Sequence, residues 1–126
     1  MLNKVQLIGR LGTDPDYRHT VSGTPVTTFA LATSERFNGK DGEAKELTEW
    51  HTIVVWRSLA DTCHKYLSKG KLVYAEGKIR KRKYLDKDGQ DRYITEIVAD
   101  QVKFLEKVQD LCWFDDTTEQ QNEVPI

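Results

Sequence analysis

Between Lys78 and Leu85, five of eight residues are Lys or Arg, and Tyr84 sits at the end of the run. Lys87, Arg92 and Tyr93 continue the mixture a few residues on. Earlier in the chain Phe37 follows Arg36, and Trp50 and Trp56 occupy one period-2 face of a β-prone run. Cations interleaved with rings do one kind of chemistry well. The cations follow a phosphate backbone, and the rings offer faces on which unstacked bases lie. Such stacking is worth ~1–3 kcal/mol per base and tolerates any sequence, since every base has a π-face. Each feature also has an ordinary structural reading. Strand tryptophans usually belong to a core, and a Lys/Arg-rich hairpin often only protects a sheet edge from aggregation. What the set means depends on the elements that carry it.

Other chemistry finds no support. There is no Gly-rich phosphate loop, no G-x-S-x-G, and no His or carboxylate pair at metal-ligand spacing. The nearest constellation is Cys63-His64 on a predicted helix. Adjacent helical residues point in different directions, so these two cannot share a metal or act as nucleophile and base. Cys63 falls on the apolar stripe and reads as a small buried hydrophobe. No enzymatic activity, metal or cofactor is expected.

The elements follow from periodicity and punctuation. Val5-Gln6-Leu7-Ile8 reads as a first strand ended by Gly9 and Gly12, with Asp14-Pro15 opening a turn. After Ser22-Gly23-Thr24-Pro25, the run Val26 to Thr33 is a second strand. Asn38-Gly39 and Asp41-Gly42 mark a hairpin loop, and Thr48 to Trp56 is the third strand. One pleat of that strand carries Thr48, Trp50, Thr52, Val54 and Trp56; the other carries Glu49, His51, Ile53 and Val55. Leu59, Cys63, Tyr66 and Leu67 recur at helical spacing, with Ser58 as N-cap and Gly70 just past the end. Lys71 to Arg82 returns to strand, and Asp88-Gly89 turns a last hairpin between Arg80–Leu85 and Arg92–Val98. The prediction is all-β with small α content: a five-stranded Greek-key OB-fold barrel with one short helix between strands 3 and 4. On such a barrel the rings and cations together point to nucleic-acid binding.

The chain has 126 residues, 38% hydrophobic and 31% charged, which suits one globular domain. No run approaches a transmembrane helix, and Met1 to Lys4 resembles neither a signal nor a transit peptide. Two cysteines without paired spacing suit a reducing compartment. A cytoplasmic location with no membrane role is therefore expected. Net charge is -1, but Lys107 against Asp110, Asp115, Asp116, Glu119 and Glu123 gives residues 107–126 a net -4, leaving +3 on residues 1–106. The expected organisation is an OB-fold domain over 1–106 and a short, acidic, disordered tail over 107–126.

The residues also match a family pattern. N-K-V-x-L-I-G-x-L-G-x-D-P runs from Asn3 to Pro15, S-G-T from Ser22 and L-A-T-x-E-R from Leu31. T-E-W-H follows from Thr48, Y-L-x-K-G from Tyr66 and V-Y-x-E-G from Val73, and D-K-D-G-Q-x-R-Y-x-T-E-I-V-A-D spans Asp86 to Asp100. Over about residues 2–104 the chain resembles the bacterial single-stranded DNA-binding proteins. The resemblance implies a homotetramer that wraps and protects single-stranded DNA, with little sequence preference, in replication, recombination and repair. It implies a nucleoid-associated protein. Its base-stacking rings fall on Phe37, Trp50, Trp56 and Tyr84; three of the four differ from the family's usual residue, but each is aromatic. Its phosphate contacts fall near Arg10 and on Lys69, Arg80, Arg82, Lys83 and Arg92, while Ser68 stands where the family often has Arg. His51 matches the family histidine at the subunit interface, and the first strand, with Val5 and Leu7, offers an edge for another subunit.

The family tail usually ends in an acidic tip that docks replication and repair proteins. Here the last residues are Glu123, Val124, Pro125 and Ile126: the proline is kept, the paired acids and terminal Phe are not. Partner docking through these four residues is the expectation that remains. A different class stays open beside the first: an OB-type RNA-binding or replication-accessory module that bridges proteins. Nothing in the residues specifies rejection of a 2′-OH.

Overall fold

Alternation makes the strands. Along Pro25–Asn38, Thr27, Phe29 and Leu31 are buried while their neighbours are not, the period of a pleated strand with one face on a core. The structure, a computed structural model, describes residues 1–106. The expected 107–126 tail therefore lies outside the described residues. The elements are β1 (Val5–Leu11), β2 (Asp16–His19), β3 (Pro25–Asn38), β4 (Ala44–Trp56), α1 (Arg57–Tyr66), β5 (Leu72–Leu85) and β6 (Asp91–Phe104). Among the described residues no helix is long and apolar enough to cross a membrane.

Five of these strands close a barrel. β1 pairs antiparallel with β5 from Val5 to Arg10, and β5 with β6 along its length. β6 then meets β4 in a short parallel contact, Ile53↔Ile97 and Val54↔Val98. β4 pairs antiparallel with β3, and β3 returns to β1 at Arg10↔Ala32 and Leu11↔Leu31. This is the OB-fold, with the helix between the third and fourth barrel strands. Leu31, Ile53, Val55, Val73 and Val102 fill the interior, and Ala60, Cys63 and Leu67 join that core from the helix and its end. Burial pushes the Cys63 thiol up to about 12. It therefore stays protonated and inert at neutral pH.

The local details depart from expectation in several places. β2 is an additional strand whose four residues carry no strand pattern of their own. They are held from outside: β2 pairs with β3 from Asp16↔Thr28 to His19↔Pro25. The Tyr17 hydroxyl donates to Asp61 of α1 at 2.5 Å, and its ring stacks on His64 at 4.2 Å. The helix is not capped by Ser58. Its N-cap is Trp56, in extended conformation without a side-chain cap, and Arg57 turns the chain into the helix at φ +62°. The strand runs straight into the helix, so no loop residue is left to cap it. Gly70 does have positive φ, but three residues past the Leu67 C-cap, in the Ser68–Lys71 turn.

β3 and β4 also run beyond the expected boundaries, to Asn38 and from Ala44, as a ladder with no register shift. β5 and β6 form a second long hairpin, buried at the barrel end and exposed beyond it. Both hairpins project past the core.

Candidate nucleic-acid interface

Pleat and register decide which side chains meet. In β4 the interior side chains are Ile53 and Val55, so Trp50, Thr52, Val54 and Trp56 lie on the outward pleat. The parallel contact Val54↔Val98 carries that face onto β6. From there the pairs Lys78↔Val98, Arg80↔Glu96, Arg82↔Ile94 and Tyr84↔Arg92 carry it along the last hairpin. One outward surface thus holds Trp50, Trp56, Arg80, Arg82, Tyr84 and Arg92, assembled from three strands.

The expected stacking rings differ in presentation. Trp50 is 63% exposed, Phe37 48% and Tyr84 44%, while Trp56 is half-buried where β4 meets the helix. Phe37 lies opposite Lys45, on the pleat of Leu47 and Glu49, and so on the reverse face of its hairpin from Trp50. Lys83 likewise sits on the reverse pleat of the β5–β6 hairpin, opposite Tyr93, and pairs with Asp91 at 3.0 Å. Both partners of that pair are more than half exposed, so it holds Lys83 only weakly. The expected site therefore spans both sides of the projecting hairpins.

Trp50 has a seat. Gly12, at the end of β1, is tied by its N–H to the Ala30 carbonyl at 2.8 Å. A Cβ on Gly12 would overlap Cζ3 of the Trp50 ring and fall 2.9 Å from its Cη2. The indole lies against bare backbone, and any side chain at position 12 takes its place. Gly12→Ala is expected to swing the ring into water. In a protein with Trp56 and Trp113 replaced by Phe, this shifts Trp50 emission to the red; unchanged emission would count against the contact.

The arginines are fastened rather than loose. Arg92 donates to Asp86 at 2.7 Å, and the other Asp86 oxygen accepts from the Asp88 and Gln90 N–H groups in the hairpin turn. The Arg92 hydrogen bond, helped by those two, holds the Asp86 carboxyl below the usual aspartate range. The fastening is complete above that range and is lost as pH falls through the depressed value. Arg80 and Arg82 both donate to Oε1 of Glu96, at 2.6 and 3.3 Å. Lys69 lies in the turn after the helix, where its N–H donates to Asp14 and Gly70 N–H donates to the Leu11 carbonyl. That turn adjoins the Gly12 end of β1. Arg10 bonds the Gly70 carbonyl and Glu106.

Val5 and Leu7 are partly buried against the chain's own core, so the outward side chains of β1 are Gln6 and Ile8. β1 is not an unpaired strand. β5 occupies one edge, and the other pairs with β3 only at Arg10 and Leu11. His51 is half-buried on the interior pleat with Nε2 2.9 Å from the Thr33 hydroxyl. Glu123, Val124, Pro125 and Ile126 lie outside the described residues. Among the described residues no group of three or more His, Cys, Asp or Glu could hold a metal ion. Sequence reasoning missed Gly12 and Glu96 as parts of the site. Both stand inside the matched family motifs, but their own residue types and spacing give neither a role, because both matter through a cross-strand neighbour.

Comparisons with known proteins agree with the fold. The model of the single-strand binding protein family matches residues 2–105. A single-stranded DNA-binding protein of Neisseria meningitidis serogroup A is 51% identical over 104 residues, 82% of this chain and 60% of that protein. Single-stranded DNA-binding protein 1 of Chlorobaculum tepidum is 51% identical over 105 residues, 82% of this chain and 65% of its own. The match thus spans less than two thirds of the length of these relatives. A solved structure described as a Plasmodium falciparum SSB complex with ssDNA superposes with a TM-score of 0.76 at 39% identity, covering 84% of this chain and 97% of that one.

Proposed function

Since the chain belongs to the single-strand binding protein family, whose members are DNA-binding proteins and not enzymes, we propose that it binds and covers single-stranded DNA with little sequence preference. The observation that carries this reading is the shared outward pleat of three strands, which holds the exposed Trp50 on β4 and Arg80, Arg82 and Arg92 on the last hairpin. Rings there take bases by stacking, and guanidiniums take the phosphates between them. Phe37, Trp56 and Tyr84 are the further rings, and Lys69, Lys83 and Arg92 the further cations. With rings and cations on both sides of the hairpins, a strand has reason to wrap rather than cross.

The working unit in this reading is a homotetramer acting in the cytoplasm, in replication, recombination and repair. The β1 edge, paired with β3 only at Arg10 and Leu11, has backbone groups from Val5 to Gly9 to offer a second copy. Half-buried His51 is the interface histidine. Residues Glu123 to Ile126, at the end of the acidic segment, dock replication and repair proteins.

Competition between poly(dT) and poly(U), with sedimentation of the free protein, tests the reading. Expected are a clear preference for poly(dT) and a species of four subunits at micromolar concentration. Equal or better RNA binding would replace the proposal with an RNA-binding module. A monomer would remove the tetramer.

A further inference from the structure

Glu96 is a carboxylate in an unusual place. Its pleat is the outward one, opposite the buried Ile97, yet only 3% of it is exposed. Its Oε1 accepts from Arg80 Nη2 at 2.6 Å and from Arg82 Nε at 3.3 Å. The two arginine side chains remain 41% and 52% exposed. Arg80 and Arg82 are two apart on one face of β5, so without an anion between them like charges would push them apart. Buried carboxylates are kept only when paired, and this one is paired with two groups at once.

A guanidinium has five N–H donors, and each arginine spends one on Glu96. With each side chain about half exposed, the rest are available to a ligand. We infer that Glu96 is a positioning residue. It draws Arg80 and Arg82 together and fixes them as a two-armed receptor for phosphodiester oxygens of a bound strand. The arginines then surrender rotamer freedom when the chain folds rather than when it binds, which favours binding. This rests on the reading of both arginines as phosphate contacts.

A simpler role would have the opposite sign. Were Glu96 only a negative charge under a polyanion site, its removal would tighten binding and steepen the salt dependence. As a positioning residue it does the reverse. Glu96→Ala is expected to weaken oligo(dT) binding by about tenfold, though the protein gains positive charge. It should also make the slope of log affinity against log salt shallower by ~0.7 for each phosphate that the arginines no longer hold. Glu96→Gln keeps an acceptor of the same shape without the charge and should show a smaller loss in the same direction.

Titrations of the full chain with oligo(dT) between about 50 and about 300 mM salt decide it. Thermal unfolding is followed alongside; if the Ala variant does not fold, the Gln variant carries the test. Tighter binding with a steeper slope, or unchanged affinity and slope, overturns the inference. Arg80→Ala and Arg82→Ala separate the two levels. If they too keep the wild-type slope, the arginines are not phosphate contacts and the underlying reading fails. If they flatten it while the Glu96 variants do not, the positioning role alone is lost.

Discussion

Replacing Trp50 by Ala is expected to weaken oligo(dT) binding by ~1–3 kcal/mol, roughly 5- to 150-fold, with almost no change in salt slope. Trp50 is 63% exposed and lies outside the core, so its loss opens no cavity there. The whole effect should therefore fall on binding, with the melting temperature unchanged. A ring releases no counterions, which keeps the slope constant. Arg82→Ala should behave oppositely and make the slope shallower by ~0.7. Emission supplies an independent check: with Trp113 replaced by Phe, oligo(dT) should quench most of the remaining tryptophan signal. Unquenched emission, or identical slope changes in the Trp50 and Arg82 variants, would mean that Trp50 does not stack on bases. Trp56 is a poorer test, because it is half-buried at the strand–helix junction and its loss mixes stability with binding.

The largest expected effect on stability comes from Gly77→Ala. At Glu76/Gly77 the β5–β6 register shifts, and the backbones press together. A Cβ on Gly77 would collide with the Val98 carbonyl oxygen and lie 2.6 Å from the Ala99 Cα. Both obstacles are main chain, so no rotamer change relieves them. The neighbouring strand must move, and it is the one that closes the barrel on β4 through Ile97 and Val98. Overpacking of this kind costs about 3 kcal/mol, or roughly 10–20 °C in melting temperature for a domain near this size. A melting temperature within a few degrees of the parent would show that the bulge can give.

The bulge also illustrates what local reading misses. Gly77 stands in the middle of a run that reads as uninterrupted strand, and the crowding that requires glycine there comes from Val98, across the sheet. β2 is a similar case, since Asp16 to His19 become a strand through β3 and through Tyr17 meeting Asp61 and His64 on the helix. The helix starts at Trp56 and Arg57 because the end of a barrel strand, not a capping side chain, dictates where the chain must turn.

By itself the sequence determined the barrel. Period-2 alternation, Gly-marked hairpins and one short amphipathic segment are local properties, and they leave few ways to bury one face of five strands. It also determined which residue types could hold a polyanion, since Lys, Arg and aromatic side chains act through chemistry that needs no neighbour to be recognised. Only the tertiary structure decided which of them share a surface. Trp50, Arg80, Arg82, Tyr84 and Arg92 fall on one outward pleat because β6 joins β4 in register at Val54↔Val98, a parallel pairing between segments more than forty residues apart. The same pleat count sends Phe37 and Lys83 to the reverse faces and brings Glu96 beneath two arginines. Shifting a strand by one residue exchanges its two faces. The registers that assembled this surface were set by the packing of the whole barrel.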